Sequence, residues 1–216
     1  MAVEIIPAIL EKNFENIKIK IQEIEPYVLW AQIDVVDGIF APNVTWNNPA
    51  ELKMLNTSLH LEIDLMISEP EKHIDAWIAS GAARIFFHVE ATENPKAIIQ
   101  NIHEAGIQAG ISINPSTAVD ILYEFVSHVD AVLFLGVEPG FQGQTFHEDT
   151  IEKVKNMRAK FPEIAIEVDG GVRPGMARKL AEAGVTRIVA GSAIFEDGAL
   201  AVNKKIEDLL HDTKLN

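Results

Sequence analysis

Cysteine is absent from the sequence. That excludes disulfides, thiolate metal ligands and thiol nucleophiles. Basic residues are scarce: 18 Lys and Arg stand against 32 Asp and Glu, a net charge of −14. A surface this acidic excludes the usual nucleic-acid footprint, which depends on Lys and Arg at the phosphates. It does not exclude a small phosphorylated ligand, because backbone N–H groups can hold a phosphate unaided. No apolar run approaches the roughly 20 residues needed to span a bilayer. The opening residues 1–7 are too short and too acidic for a signal peptide. The expectation is a cytoplasmic protein with neither nucleic acid nor membrane as partner. Glycine is also missing from Ala8-Ile-Leu-Glu-Lys-Asn13, where a doubly wound dinucleotide-binding sheet needs its Gly-rich turn.

What is present is a chain of 216 residues, 48% apolar and 23% charged, enough for one sizeable core and one domain over residues 1–216. Short β-rich runs alternate with segments of helical period. Strands are expected at 3–9, 28–35, 59–66, 83–89, 107–113, 129–136, 164–169 and 186–190. Helices are expected near 13–25, 48–56, 70–80, 94–105, 117–127, 147–160, 173–183 and 197–210. Runs such as Asp130-Ala-Val-Leu-Phe-Leu-Gly136 suit parallel strands covered on both faces. Asn13, Pro70, Pro95, Thr117 and Pro174 mark helix starts, and Gly81, Gly106 and Gly184 mark stops. Eight strand–helix units predict a (β/α)8 barrel, with an open doubly wound sheet as the alternative.

In such a barrel the C-terminal strand ends converge on one mouth. Asp34 and Asp169 each end a strand-like run and can serve as an acid/base pair acting on two faces of one carbon. Gln32 shares a face with Asp34, and Glu62 shares one with Asp64. Any one of Asp34, Asp64 and Asp169 is equally an N-cap or a solvated carboxylate, but three on otherwise apolar strands point to a site. Glycines cluster after the late strands, in Pro139-Gly-Phe-Gln-Gly-Gln144, Asp169-Gly-Gly-Val172 and Ala190-Gly-Ser-Ala193. Each loop alone reads as a tight turn; three together at these strand ends point to a backbone phosphate cradle. His88 is evenly balanced between a structural and a site role. Met66 follows Asp64 by two and is expected in the mouth, while Trp30, Met54 and Trp77 are expected in the core.

These motifs resemble ribulose-phosphate 3-epimerases over essentially the full length. The matching segments are Pro7-Ala-Ile-Leu10, Asp34-Val-Val-Asp-Gly-Ile-Phe-Ala-Pro-Asn43, Leu65-Met66, His88-Val-Glu-Ala91, Val137-Glu-Pro-Gly-Phe-Gln-Gly-Gln-Thr-Phe146, Glu167-Val-Asp-Gly-Gly-Val172 and Ala190-Gly-Ser-Ala-Ile-Phe195. The resemblance implies a TIM barrel that inverts C3 of a ketose phosphate, converting ribulose 5-phosphate to xylulose 5-phosphate through an enediolate. Asp34 and Asp169 would be its proton-transfer residues, and the glycine loops with Gly140, Gly143, Gly171, Gly191 and Ser192 would hold the phosphate. It further implies a divalent metal, a place in the pentose phosphate pathway and a dimeric or hexameric homo-oligomer.

The departures fall on the metal site. The resemblance leads one to expect histidines where Gln32 and Asp64 stand, a serine at Glu11, a glycine at Gln142 and a methionine at Leu135. The remaining ligand candidates, Gln32, Asp34, Asp64 and Asp169, offer only oxygen for a metal, which favours Mg²⁺, Mn²⁺ or Ca²⁺ over Zn²⁺ or Fe²⁺. The alternative is no metal, with a protonated Asp64 or Glu11 bonded to substrate oxygens. A non-epimerising sugar-phosphate-binding barrel is the competing functional reading. A decarboxylase is disfavoured because Glu62-Ile-Asp64 lacks the lysine expected there.

Overall fold

Strict alternation decides which way each strand residue faces, and it separates two kinds of interior. In a computed structural model describing residues 3–215, eight strands form a closed parallel barrel in sequence order. They are β1 (Glu4–Ile9), β2 (Trp30–Val36), β3 (His60–Met66), β4 (Arg84–His88), β5 (Gln108–Ile113), β6 (Ala131–Leu135), β7 (Ala165–Asp169) and β8 (Arg187–Ala190). The register runs Gln32 beside Glu62, Asp34 beside Asp64, and Leu135 beside Asp169. One set of alternate residues, such as Ile33, Ile63, Ile85, Ile111, Val132 and Val168, joins the large core between strands and helices. The other set points into the barrel. It mixes apolar clusters (Ile6, Ala8 and Val189; Phe86, Leu133 and Leu135) with almost all the buried charge.

The helices are amphipathic and pack outside the barrel. In α1 (Phe14–Ile24), Ile17, Ile21 and Ile24 form the buried stripe, and the Asn13 side chain caps the start by accepting from the Asn16 N–H at 2.9 Å. Then follow α2 (Pro49–Leu52), α3 (Ile74–Ile78), α4 (Pro95–Glu104), α5 (Asp149–Lys160), α6 (Met176–Ala183), α7 (Ser192–Phe195) and α8 (Val202–Asp212). Gly184 ends α6 with φ +100, as a left-handed cap requires.

The strands fall where expected, but three helices do not. Residues 117–127 form two 3-10 turns, Val119–Leu122 and Val126–His128. Lys153 donates to the carbonyls of Pro115 and Thr117, taking acceptors that a helix start would use. Residues 70–80 split into a 3-10 turn and α3, and residues 48–56 keep only the single turn of α2. Because α2 ends at Leu52, Met54 is 70% exposed, which corrects its placement in the core. Trp77 is buried, and Trp30 lies half-buried over the Arg84 guanidinium, 4.0 Å from ring centroid to carbon.

Arg84 anchors the floor of the barrel. It is fully buried, pairs with Glu62, lies 3.7 Å from Glu167, and donates through Nε to Gln108 Oε1 at 2.9 Å. Arg187 reaches Glu167 from the other side at 3.8 Å. Buried charge is tolerated only when paired this closely. Burial raises both Glu62 and Glu167 above the ordinary carboxylate range; their mutual proximity adds to this for Glu167, while the arginines oppose it.

Candidate active site

Asp34, on β2, and Asp169, on β7, reach the same point from strands that are not neighbours. Gln32 connects them. Its side-chain nitrogen donates to Asp34 Oδ1 at 2.6 Å and to Asp169 Oδ2 at 2.7 Å. Asp64 completes the group, and the three aspartates each offer an oxygen within 4.8 Å of the others. All three are buried. Asp64 also accepts a long hydrogen bond from Ser112 at 3.4 Å.

Three buried carboxylates this close cannot all be freely ionised. Burial, then the charges of Asp169 and Asp64, hold Asp34 well above the ordinary aspartate range. Burial and the charge of Asp64 push Asp169 up to about 7, with the Gln32 hydrogen bond opposing. The pair therefore holds a proton near neutral pH that isolated aspartates would have lost.

The end of β2 is fixed by Thr45, whose hydroxyl donates to the Asp34 carbonyl at 2.9 Å and accepts from the Val36 N–H at 2.8 Å. Asp37 accepts from the N–H groups of Ile39, Phe40 and Ser68, tying the β2 loop to β3. Asn43 then donates to the Gly140 carbonyl at 2.6 Å and ties that loop to the glycine loop after β6. The narrow cleft between them is lined by Asp34, Asp169, Met66, Gly140, Gly143, Gly171, Gly191 and Ser192, among others. Among the described residues, the N–H groups of Gly171, Gly191 and Ser192 have no backbone acceptor, and these residues line the cleft. A wider surface groove beside α4, near His103 and Asp130, holds none of the three aspartates.

The other expected site residues are distributed as follows. Met66 lines the cleft. His88 is fully buried behind it, with Nε2 3.8 Å from Asp64 and Nδ1 3.5 Å from Glu90. Burial alone would lower its pKa, but the two carboxylates outweigh burial and lift it to about 9. Glu11 is not brought to the cleft. It faces outward in an ion pair with Lys20 at 2.7 Å and accepts from Asn16 at 3.0 Å. Slight burial raises its pKa, but these partners outweigh it and hold Glu11 below the ordinary range, against a protonated role. Sequence reasoning missed two features. One is the donor role of Gln32, whose second partner is 137 residues away. The other is the floor pairing of Arg84, for which the period of two linking Arg84, Phe86 and His88 was the available signal.

Comparison with known proteins gives a consistent result. A family model described as the Ribulose-phosphate 3 epimerase family matches residues 4–195. The ribulose-phosphate 3-epimerase of Eremothecium gossypii is 37% identical over 205 residues, covering 88% of this chain and 85% of that protein. That of Chlamydia muridarum is 38% identical over 182 residues, covering 81% and 79%. Among solved structures, a 3-hexulose-6-phosphate synthase superposes with a TM-score of 0.72 at 12% identity, covering 97% of this chain and 99% of that one. A tryptophan synthase alpha-subunit from Pyrococcus furiosus gives 0.74 at 14%, covering 96% and 98%. At such identities these two establish the barrel alone.

Proposed function

Because the chain belongs to the ribulose-phosphate 3-epimerase family, we propose that Asp34 and Asp169 invert C3 of ribulose 5-phosphate by two proton transfers. The chain is a carbohydrate epimerase. In this mechanism one carboxylate removes the C3 proton and leaves an enediolate. The other, protonated, delivers a proton to the opposite face and gives xylulose 5-phosphate. The reverse reaction exchanges the two roles. The observation that carries this reading is the buried Asp34/Asp169 pair at the barrel mouth, joined through one amide.

The substrate phosphate lies on the free N–H groups of Gly171, Gly191 and Ser192, with Gly140 and Gly143 shaping the loop above. The left-handed backbone at Gly143 (φ +77) and Gly171 (φ +69) supports glycine at both places. Met66 supplies an apolar wall. His88 acts from behind by holding Asp64 and Glu90.

The all-oxygen set of Asp34, Asp64 and Asp169 fits a hard divalent cation such as Mg²⁺, Mn²⁺ or Ca²⁺ better than Zn²⁺ or Fe²⁺. When bound, such a cation would supply positive charge beside the developing enediolate oxygens. Deuterium wash-in at C3 of ribulose 5-phosphate tests the reading, with chelator and with added Mn²⁺. Thermal stabilisation by the sugar phosphate without any exchange would support a binding barrel instead.

A further inference from the structure

We infer that Gln32 is a positioning residue whose amide clamps Asp34 to Asp169 in the place a cation would take. This rests on the proposed role of those two carboxylates. A primary amide has two N–H donors and one carbonyl acceptor. Here the nitrogen lies 2.6 Å from one carboxylate and 2.7 Å from the other, so both hydrogens are committed. The orientation follows from the partners: a carbonyl oxygen in that position would face two carboxylate oxygens and repel both.

The clamp is rigidly mounted. Gln32 is fully buried in the centre of β2, between β1 and β3. From there it reaches across the barrel interior to β7. Its carbonyl oxygen has no hydrogen-bond partner. A cation held by Asp34, Asp64 and Asp169 would draw on the same carboxylates that the amide holds. For Gln32 to act as a ligand, its amide would have to turn over and present that unpartnered oxygen. Donation to the carboxylates and ligation of a cation are therefore mutually exclusive states of one side chain. The geometry is that of the donor state, in which two polarised N–H groups hold the pair together.

The sign of one measurement separates the two roles. Chelator-stripped full-length protein is titrated calorimetrically with Mn²⁺, as wild type and as Gln32→Leu, with Gln32→Met as a second variant of unbranched shape. A clamp competes with the cation, so its removal is expected to tighten Mn²⁺ binding at least tenfold. Weaker binding in both variants would make Gln32 a ligand and overturn the inference, as would affinity unchanged within twofold. In chelator, wild-type C3 exchange is expected to proceed, and Gln32→Leu to lower kcat at least 30-fold with KM within threefold. Wild-type exchange that appears only with Mn²⁺ overturns the clamp as the working arrangement. Wild-type exchange absent under both conditions overturns the C3 chemistry itself, and the calorimetric sign still decides the clamp.

Discussion

The side-chain amide of Gln142 lies against Gly191, so close that a Cβ on Gly191 would stand 2.1 Å from its nitrogen. Gln142 comes from the glycine loop after β6, and its nitrogen also approaches the Ala8 carbonyl at 3.4 Å. A flexible side chain thus covers part of the proposed phosphate cradle. Gln142→Gly is expected to uncover the Gly191 and Ser192 N–H groups and lower KM for ribulose 5-phosphate about three- to tenfold, roughly 0.6–1.4 kcal/mol. Steady-state kinetics would read this. A KM that rises instead would mean that Gln142 donates to the phosphate.

The eight strands were legible because each carries its own alternation, and a barrel asks little more of sequence than eight such runs in order. The convergence of Asp34 and Asp169 was legible for the same reason: both stand at strand ends. Gln32 was visible as a residue on the same face, but its hydrogen bonds to both carboxylates were not. An amide is donor or acceptor according to its partners, and Asp169 becomes its partner only when the barrel closes. Glu11 shows the opposite failure. It follows β1 directly, yet Lys20 and Asn16 on α1 draw it outward. The helix expected over 117–127 failed because Lys153, from α5, takes its first carbonyls; neither interaction leaves a local signal.

Arg84 compensates two buried glutamates, so its loss should be severe. Arg84→Met is expected to destabilise the protein by about 3–5 kcal/mol, the usual cost of leaving a buried charge without its partner. Urea unfolding would measure it. The loss should be larger at pH 8 than at pH 5, because Glu62 and Glu167 can then escape only by holding protons. Adding Glu62→Gln should recover part of it. A loss below about 1 kcal/mol at pH 8 would mean that Arg187 alone suffices.

His88 makes stability depend on pH in the alkaline direction. Its folded pKa, about 9, lies above its ordinary 6.5. The imidazolium pairing is therefore fully present below about pH 6.5 and is lost as pH rises through 9. The fully buried ring supports a contribution on the order of 3 kcal/mol. The wild-type minus His88→Gln stability difference should shrink across pH 6.5–9.5. A difference constant over that range would show that the ring stays neutral between Asp64 and Glu90.

Asp169 should oppose activity to stability. Its pKa is raised from 3.8 to about 7, chiefly by burial and then by Asp64. Between those values the folded state binds more protons than the unfolded one, so stability falls as pH rises through the window. Above about 7 the full penalty is in place, on the order of 2–4 kcal/mol. Asp169→Asn keeps an oxygen acceptor for the Gln32 N–H and carries no charge. It should therefore raise stability at pH 8 by about that amount and leave it nearly unchanged at pH 4. The same substitution should lower kcat for C3 exchange by about 10²–10⁴, since one of the two proton carriers is gone. Wild-type kcat/KM should be bell-shaped, needing one ionised and one protonated member of the pair. Chemical denaturation at the two pH values and exchange kinetics on one preparation would test both halves. A variant that loses activity without gaining stability at pH 8 would mean that the buried charge of Asp169 is already balanced.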